Sequence, residues 1–195
     1  GGTTAMSGGD GDYIAADWGD CYSHCNDPVC LSIENVDTDA GTLDIFMTNQ
    51  PGCILLSEGG TFDASFDDQT ECEDDGLGGN IWFDGHVGGF QFELSNITLT
   101  GASGGTAEGN DMYVAVSDKV LGFGFTGETI PPGEGVLTTV SFSDFNGDEI
   151  CFGDDTGSGG TTAMSGGEQI SPIGMPKNSG GGNTSNRVLN INIET

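Results

Sequence analysis

The sequence predicts an all-β protein, an antiparallel β-sandwich with glycine-rich ends, and three observations carry that prediction. Apolar side chains recur at every second position in several short runs, as in "TLDIFMTN" at 42–49 and "GGFQFEL" at 88–94. That is the period of a strand with one buried face. Clusters of Gly, Asn and Asp interrupt the chain every ~8–12 residues, the turn spacing of sandwich folds. No segment repeats its apolar residues at a helical period.

Residues 1–20 form a Gly/Asp-rich N-terminal segment, expected to be irregular. It opens with "GGTTAMSGG", and the same nonamer returns at 159–167. Residues 21–155 are expected to form the disulfide-pinned sandwich. "CYSHCNDPVC" (21–30) is a set of cysteine-rich loops, and "VCLSIENVD" (29–37) is the first long strand, ended by the turn cluster "TDAG". "TLDIFMTN" then puts Leu43, Ile45 and Met47 on one face. Residues 50–87, with Cys53, Cys72 and the acidic run "DDQTECEDD", are too long for a plain loop and are expected to be pinned by their cysteines.

"GGFQFELSNITLTGA" (88–102) alternates Phe90, Phe92 and Leu94. "DMYVAVSD" follows, and then "KVLGFGFTG". There Leu121, Phe123 and Phe125 share one face, and Gly122 and Gly124 the other. A glycine face admits a ring or a backbone at close range. "GVLTTVSFSDF" (135–145) runs into Asn146-Gly147, the strongest short hairpin signal, and then into "DEICF". Residues 156–185 are a Gly-rich linker. Residues 186–195 end the chain as a strand in which Leu189, Ile191 and Ile193 alternate with polar residues.

The runs "GGFQFELSNITLTGASGG" and "VLGFGFTGETIPPGEGVLTTVSF", with the hairpin after them, resemble cohesin-type β-sandwich modules. The resemblance covers residues 29–153, apart from the 50–87 excursion. It implies a jelly-roll or cohesin-like sandwich from an extracellular protein, of the kind that also includes carbohydrate-binding modules. The cysteines and the tail depart from the family pattern, so dockerin binding is not carried over.

Charge narrows the function classes. The chain holds 31 acidic residues against Lys119, Lys177 and Arg187, a formal net charge of −28. Such a surface repels phosphate backbones, so nucleic acid is excluded as a partner. No apolar run is long enough to span a membrane. Residues 1–155 hold 29 of the acidic residues against Lys119 alone. In 156–195, Glu168 and Glu194 balance Lys177 and Arg187. The tail is thus chemically unlike the body.

Six cysteines, Cys21, Cys25, Cys30, Cys53, Cys72 and Cys151, form no C-x-x-C pair. They imply up to three disulfides and an oxidising, extracellular setting, with 15 connectivities open. Zinc held by Cys21, His24, Cys25 and Cys30 is the weaker alternative, because adjacent His24 and Cys25 strain to reach one ion. Asn96 and Asn183 head N-glycosylation sequons.

Calcium is the metal that the acidic loops suit. One candidate set is Asp10, Asp12, Asp17 and Asp20. The other is Asp144, Asn146 and Asp148, spaced as in an EF-hand but lacking its glycine and its final Glu. Asp67, Asp68, Glu71, Glu73, Asp74 and Asp75 read as a solvated loop. His24 and His86 sit in no catalytic motif, so no enzyme is expected. Trp82 and Trp18 are the candidate sugar-stacking rings, with Tyr13, Tyr22 and Tyr113 behind them.

The terminal strand offers a further role. The strand with Leu189, Ile191 and Ile193 either pairs within its own sandwich as an ordinary last strand or, tethered by the Gly-rich linker, adds to the sheet of a neighbour, where Lys177 and Arg187 would draw it to an acidic body. Different residues follow the two nonamers, "DGDYIAADW" and "EQISPIGMP", so a tandem repeat of the whole unit is disfavoured. The nonamer then reads as a duplicated linker between modules or as a segment used at both ends of one subunit, both of which place it at a junction, with a cloning scar as the remaining reading. The expectation is a secreted structural subunit that assembles with copies of itself into an extracellular filament, sheath or surface layer. The alternative is a carbohydrate-binding or adhesion module of a larger extracellular protein.

Overall fold

The computed structural model describes residues 5–8, 13, 14, 16, 17, 27–58, 60–73, 79–147 and 149–153. The strands are β1 (Ala5–Gly8), β2 (Tyr13–Ile14), β3 (Ala16–Asp17), β4 (Val29–Asp37), β5 (Thr42–Asn49), β6 (Gly52–Leu55), β7 (Thr61–Asp63) and β8 (Ile81–Phe83). They continue with β9 (Val87–Phe92), β10 (Thr98–Ser103), β11 (Tyr113–Val116), β12 (Val120–Phe123) and β13 (Gly133–Ser143). Two five-residue helices, α1 (Gln69–Glu73) and α2 (Gly105–Gly109), and a 3-10 turn at Leu56–Glu58 complete the described elements. Helices this short cannot show a 3.6-residue period, so the sequence pattern does not reveal them.

The protein is all-β. One five-stranded sheet has the order β11-β12-β9-β1-β2 and the other the order β10-β13-β5-β4-β3. Pairing is antiparallel except between β3 and β4, which run parallel. Both sheets feed one core. The first contributes Phe90, Phe92 and Val120, and the second Val29, Leu31, Leu43, Ile45, Met47, Leu137, Val140 and Phe142. β5 alternates as its sequence predicts, with Leu43, Ile45 and Met47 buried. Each such side chain contributes about 1.5–3 kcal/mol of burial. Phe152 meets Phe92 edge-on, with centroids 5.6 Å apart.

The N-terminal segment corrects one expectation. Ala5–Gly8, from the first nonamer, is a strand inside a sheet rather than an irregular leader. Ala5 pairs with Gln91, Met6 with Phe90 and Ser7 with Gly89, while β2 pairs with the other side of β1. The physical reason lies in β9, whose six residues are all buried. A strand buried on both faces cannot leave one side of its backbone without partners.

The Asn146-Gly147 hairpin is the second correction. Asp144 takes a positive φ of 55°, the Asn146 N–H donates to the Asn96 carbonyl at 3.0 Å, and its amide donates to the Asp144 carbonyl at 2.6 Å. The chain therefore turns away from β13. Leu94 pairs with Phe152 in an isolated bridge, and the Gly153 N–H donates to the Glu93 carbonyl at 3.0 Å. "DEICF" thus returns to the end of β9 and does not pair with β13.

The 50–87 excursion is a small lobe, with sheet order β7-β6-β8. As its cysteines suggest, it is pinned: Cys53 on β6 and Cys72 on α1 form a disulfide with Cα atoms 5.5 Å apart. Cys30 and Cys151 are also disulfide-bonded, which removes Cys30 from the zinc alternative. Cys21, His24 and Cys25 lie outside the described residues. The acidic run has a local role. Asp68 accepts the Glu71 N–H at 2.9 Å and Glu71 accepts the Asp67 N–H at 3.3 Å, a reciprocal cap on α1. Asp74 and Asp75 lie outside the described residues. Buried Asn80 ties the lobe together, donating to the Cys72 carbonyl and accepting the Leu56 N–H.

Candidate functional site

β11 and β12 place three aromatic rings on the outside of the first sheet. Val120 on β12 is fully buried, and a Cβ at Gly122 would lie 2.2 Å from the Phe90 ring, so these residues face the core. The alternate residues Leu121 and Phe123 therefore face outward. Tyr113 is the register partner of Phe123 and shares that face. Phe125 follows just after β12. The ring centroids are 5.5 Å apart for Tyr113 and Phe123, 5.4 Å for Tyr113 and Phe125, and 4.8 Å for Phe123 and Phe125.

These contacts hold the cluster together although it faces solvent: Tyr113 is 51 % and Phe125 71 % exposed. Such ring pairs are worth about 0.5–1.5 kcal/mol each beyond their buried area. The turn after Phe125 adds a charge. The Thr126 hydroxyl and N–H both donate to the Glu128 carboxylate and hold it below its usual acidity range. The patch thus offers apolar ring faces beside an ionised acceptor, a combination that suits the C–H face and hydroxyls of a sugar or an apolar side chain. Of these residues only Tyr113 is a candidate from sequence. The signal for Phe123 and Phe125 is the Gly122/Gly124 alternation, which marks the opposite face as the inner one.

Trp82 occupies a different place. It is half-buried on β8, directly opposite Cys53. Its ring therefore shares a face with the Cys53–Cys72 disulfide. Trp18 lies outside the described residues.

The calcium candidates are only partly placed. Asp17 sits on β3 opposite Cys30, while Asp10, Asp12, Asp20 and Asp148 lie outside the described residues. Asp144 and Asn146 bond within their own turn: the Asp144 carboxylate accepts from Ser143, and its carbonyl from Asn146. Among the described residues, no three His, Cys, Asp or Glu side chains group closely enough to hold a metal ion. His86 lies 3.5 Å from Asp84 on the surface.

The Asn96 sequon sits in a turn, with φ 62°. The Asn96 amide donates to the Glu149 carbonyl at 2.9 Å, and its side chain lies against Gly147, where a Cβ would meet it at 2.8 Å. Asn96 therefore fastens the 144–149 turn. Asn183, Lys177, Arg187, Leu189, Ile191 and Ile193 lie outside the described residues.

A second feature is the position that β1 fills. Between β9 and β2, four residues of the first nonamer complete the sheet, with a register shift between Ser7 and Gly8. No family model matches the chain, and comparison with curated proteins and with solved structures found no match.

Proposed function

We propose that this chain is a secreted structural subunit that assembles with copies of itself, through strands carried on its terminal segments, into an extracellular filament, sheath or surface layer. The observation that carries the reading is β1. A glycine-rich terminal segment of this chain supplies a strand to a sheet, and the tail carries both a second copy of that segment and the alternating strand with Leu189, Ile191 and Ile193. A strand supplied to a neighbour gives main-chain affinity with side-chain register. Repeated head to tail without closing, it builds a filament.

Charge supports the same reading. The body repels other bodies, while Lys177 and Arg187 lie on the neutral tail and favour contact between tail and body. Disulfides at Cys30, Cys53, Cys72 and Cys151 fit an oxidising compartment. A cohesin-like ancestry, bound calcium and glycans on Asn96 or Asn183 belong to this proposal as well. No catalytic role is assigned. Negative-stain microscopy of the intact chain beside one ending at residue 185 tests the role of the last strand. Polymers only from the intact chain are expected, and equal polymers from both would remove that strand from the account.

The exposed rings favour a second reading, a glycan-binding or adhesion module. Under it, Tyr113→Ala with Phe125→Ala abolishes retention on an immobilised glycan array and leaves the sedimenting mass unchanged. Retention surviving that double substitution counts against a site at the ring cluster.

A further inference from the structure

We propose that the position filled by Ala5–Gly8 on β9 is a docking slot for the nonamer, and that Ala163–Gly166 of the second copy seats in the slot of another copy of this chain. The inference rests on the assembly reading and names its acceptor. The first copy fixes the register: Ala5 opposite Gln91, Met6 opposite Phe90, Ser7 opposite Gly89, and Gly8 opposite Val87 after the irregularity. The second copy is identical over all nine residues. Whatever within the nonamer selects the first for β9, in backbone propensity or in the glycine at the irregular position, is present in the second, which lacks only the β2 segment that follows the first.

The slot demands an occupant. β9 is buried throughout and pairs with β12 on one side only, so without β1 it becomes a bare edge. The occupant seen is a strand of only four residues with an irregular register, and so short a ladder opens locally at low cost. Exchanging one strand for an identical one is a low-cost route to association. The slot is filled alike in every copy, so a second nonamer seats in a neighbour only where that neighbour's own Ala5–Gly8 has opened.

The tail also starts in the right place. The Gly153 N–H donates to the Glu93 carbonyl, just past the end of β9. Nine residues, 154–162, then precede Ala163. Nine residues reach at most about 30–32 Å, which puts the second copy within range of a molecule that abuts this end of the sheet.

The test mixes two full-length proteins. An acceptor carries Met6→Pro and Met164→Pro. Proline removes a ladder donor and is excluded from inner strands, so the acceptor slot has no strand of its own. Its β9 amides are expected to exchange hydrogen about tenfold or more faster than in the wild type. Excess wild-type chain is expected to restore that protection, whereas a donor carrying Met164→Pro restores none. Failure of the wild-type donor, or equal rescue by the Met164→Pro donor, overturns the proposal.

If the acceptor does not fold, free GGTTAMSGG peptide is added to wild-type assemblies instead. It is expected to lower their sedimenting mass, and a scrambled peptide is not; equal effects of the two peptides overturn the proposal. Assembly that survives Met164→Pro in every copy leaves the subunit reading standing and removes the slot from it. A wild-type chain that never assembles removes the subunit reading, and rescue of the acceptor still reports on the slot.

Discussion

Gly122 shows how one missing side chain sorts the faces of a strand. Its hydrogen lets the Phe90 ring lie where a Cβ would sit at 2.2 Å, and Phe90 is fully buried with no room to retreat. Gly122→Ala is expected to cost about 1–3 kcal/mol by overpacking, read as a lower urea midpoint. Gly109, where an added Cβ would have nothing within 4 Å, is the control. Gly109→Ala is expected to be neutral or stabilising by up to about 1 kcal/mol. The glycine alternation was legible in the sequence, but its consequence, that Phe123 and Phe125 face solvent, needs the packing of β12 on β9.

Asp44 carries a pH dependence. The Thr139 hydroxyl donates to it at 2.6 Å and the Asn35 amide at 2.9 Å, and together they hold the carboxyl below its unfolded value of 3.8. The folded state therefore gains stability above that value and loses it as the pH falls through the lower folded value. In a urea series at descending pH, Asp44→Asn is expected to flatten the acid limb of the stability curve. An unchanged limb would show that other carboxylates set it. None of this was legible in sequence, because Asn35 reaches Asp44 only through its left-handed conformation at φ 49° in the irregular β4–β5 register.

Among elements, β5 and β9 were the most legible, since strict alternation has one physical reading. The 50–87 lobe was half legible: its cysteines announced a pin, but not the three strands or Asn80. The Asn146-Gly147 signal failed because Asn96, fifty residues earlier in the chain, captures that turn through its own carbonyl. β1 was illegible because Ala5, Met6, Ser7 and Gly8 form too short a run to carry an apolar period, and only the buried β9 gives them a place.

The lobe also yields a prediction. The Cys53–Cys72 bond closes a loop of 19 residues, which is worth about 3 kcal/mol through the unfolded chain. Replacing both cysteines by Ala is expected to lower stability by about that much, with α1 and β7 amides exchanging faster than those of β5. Uniform exchange throughout the chain would show that lobe and sandwich unfold as one unit.

For the molecule as a whole, sequence and structure divide the work. Composition divides an acidic body from a neutral tail, and the nonamer stands once in each. The structure turned its first copy from a linker into a strand. If terminal strands join copies of this chain, the intact protein must associate and a chain without its tail must not. Sedimentation velocity of the intact chain over a concentration series, beside a chain ending at residue 155, tests this most directly. The mass is expected to climb with concentration for the intact chain and to stay at the single-chain value for the shorter one. A single-chain mass for the intact protein at every concentration would contradict it.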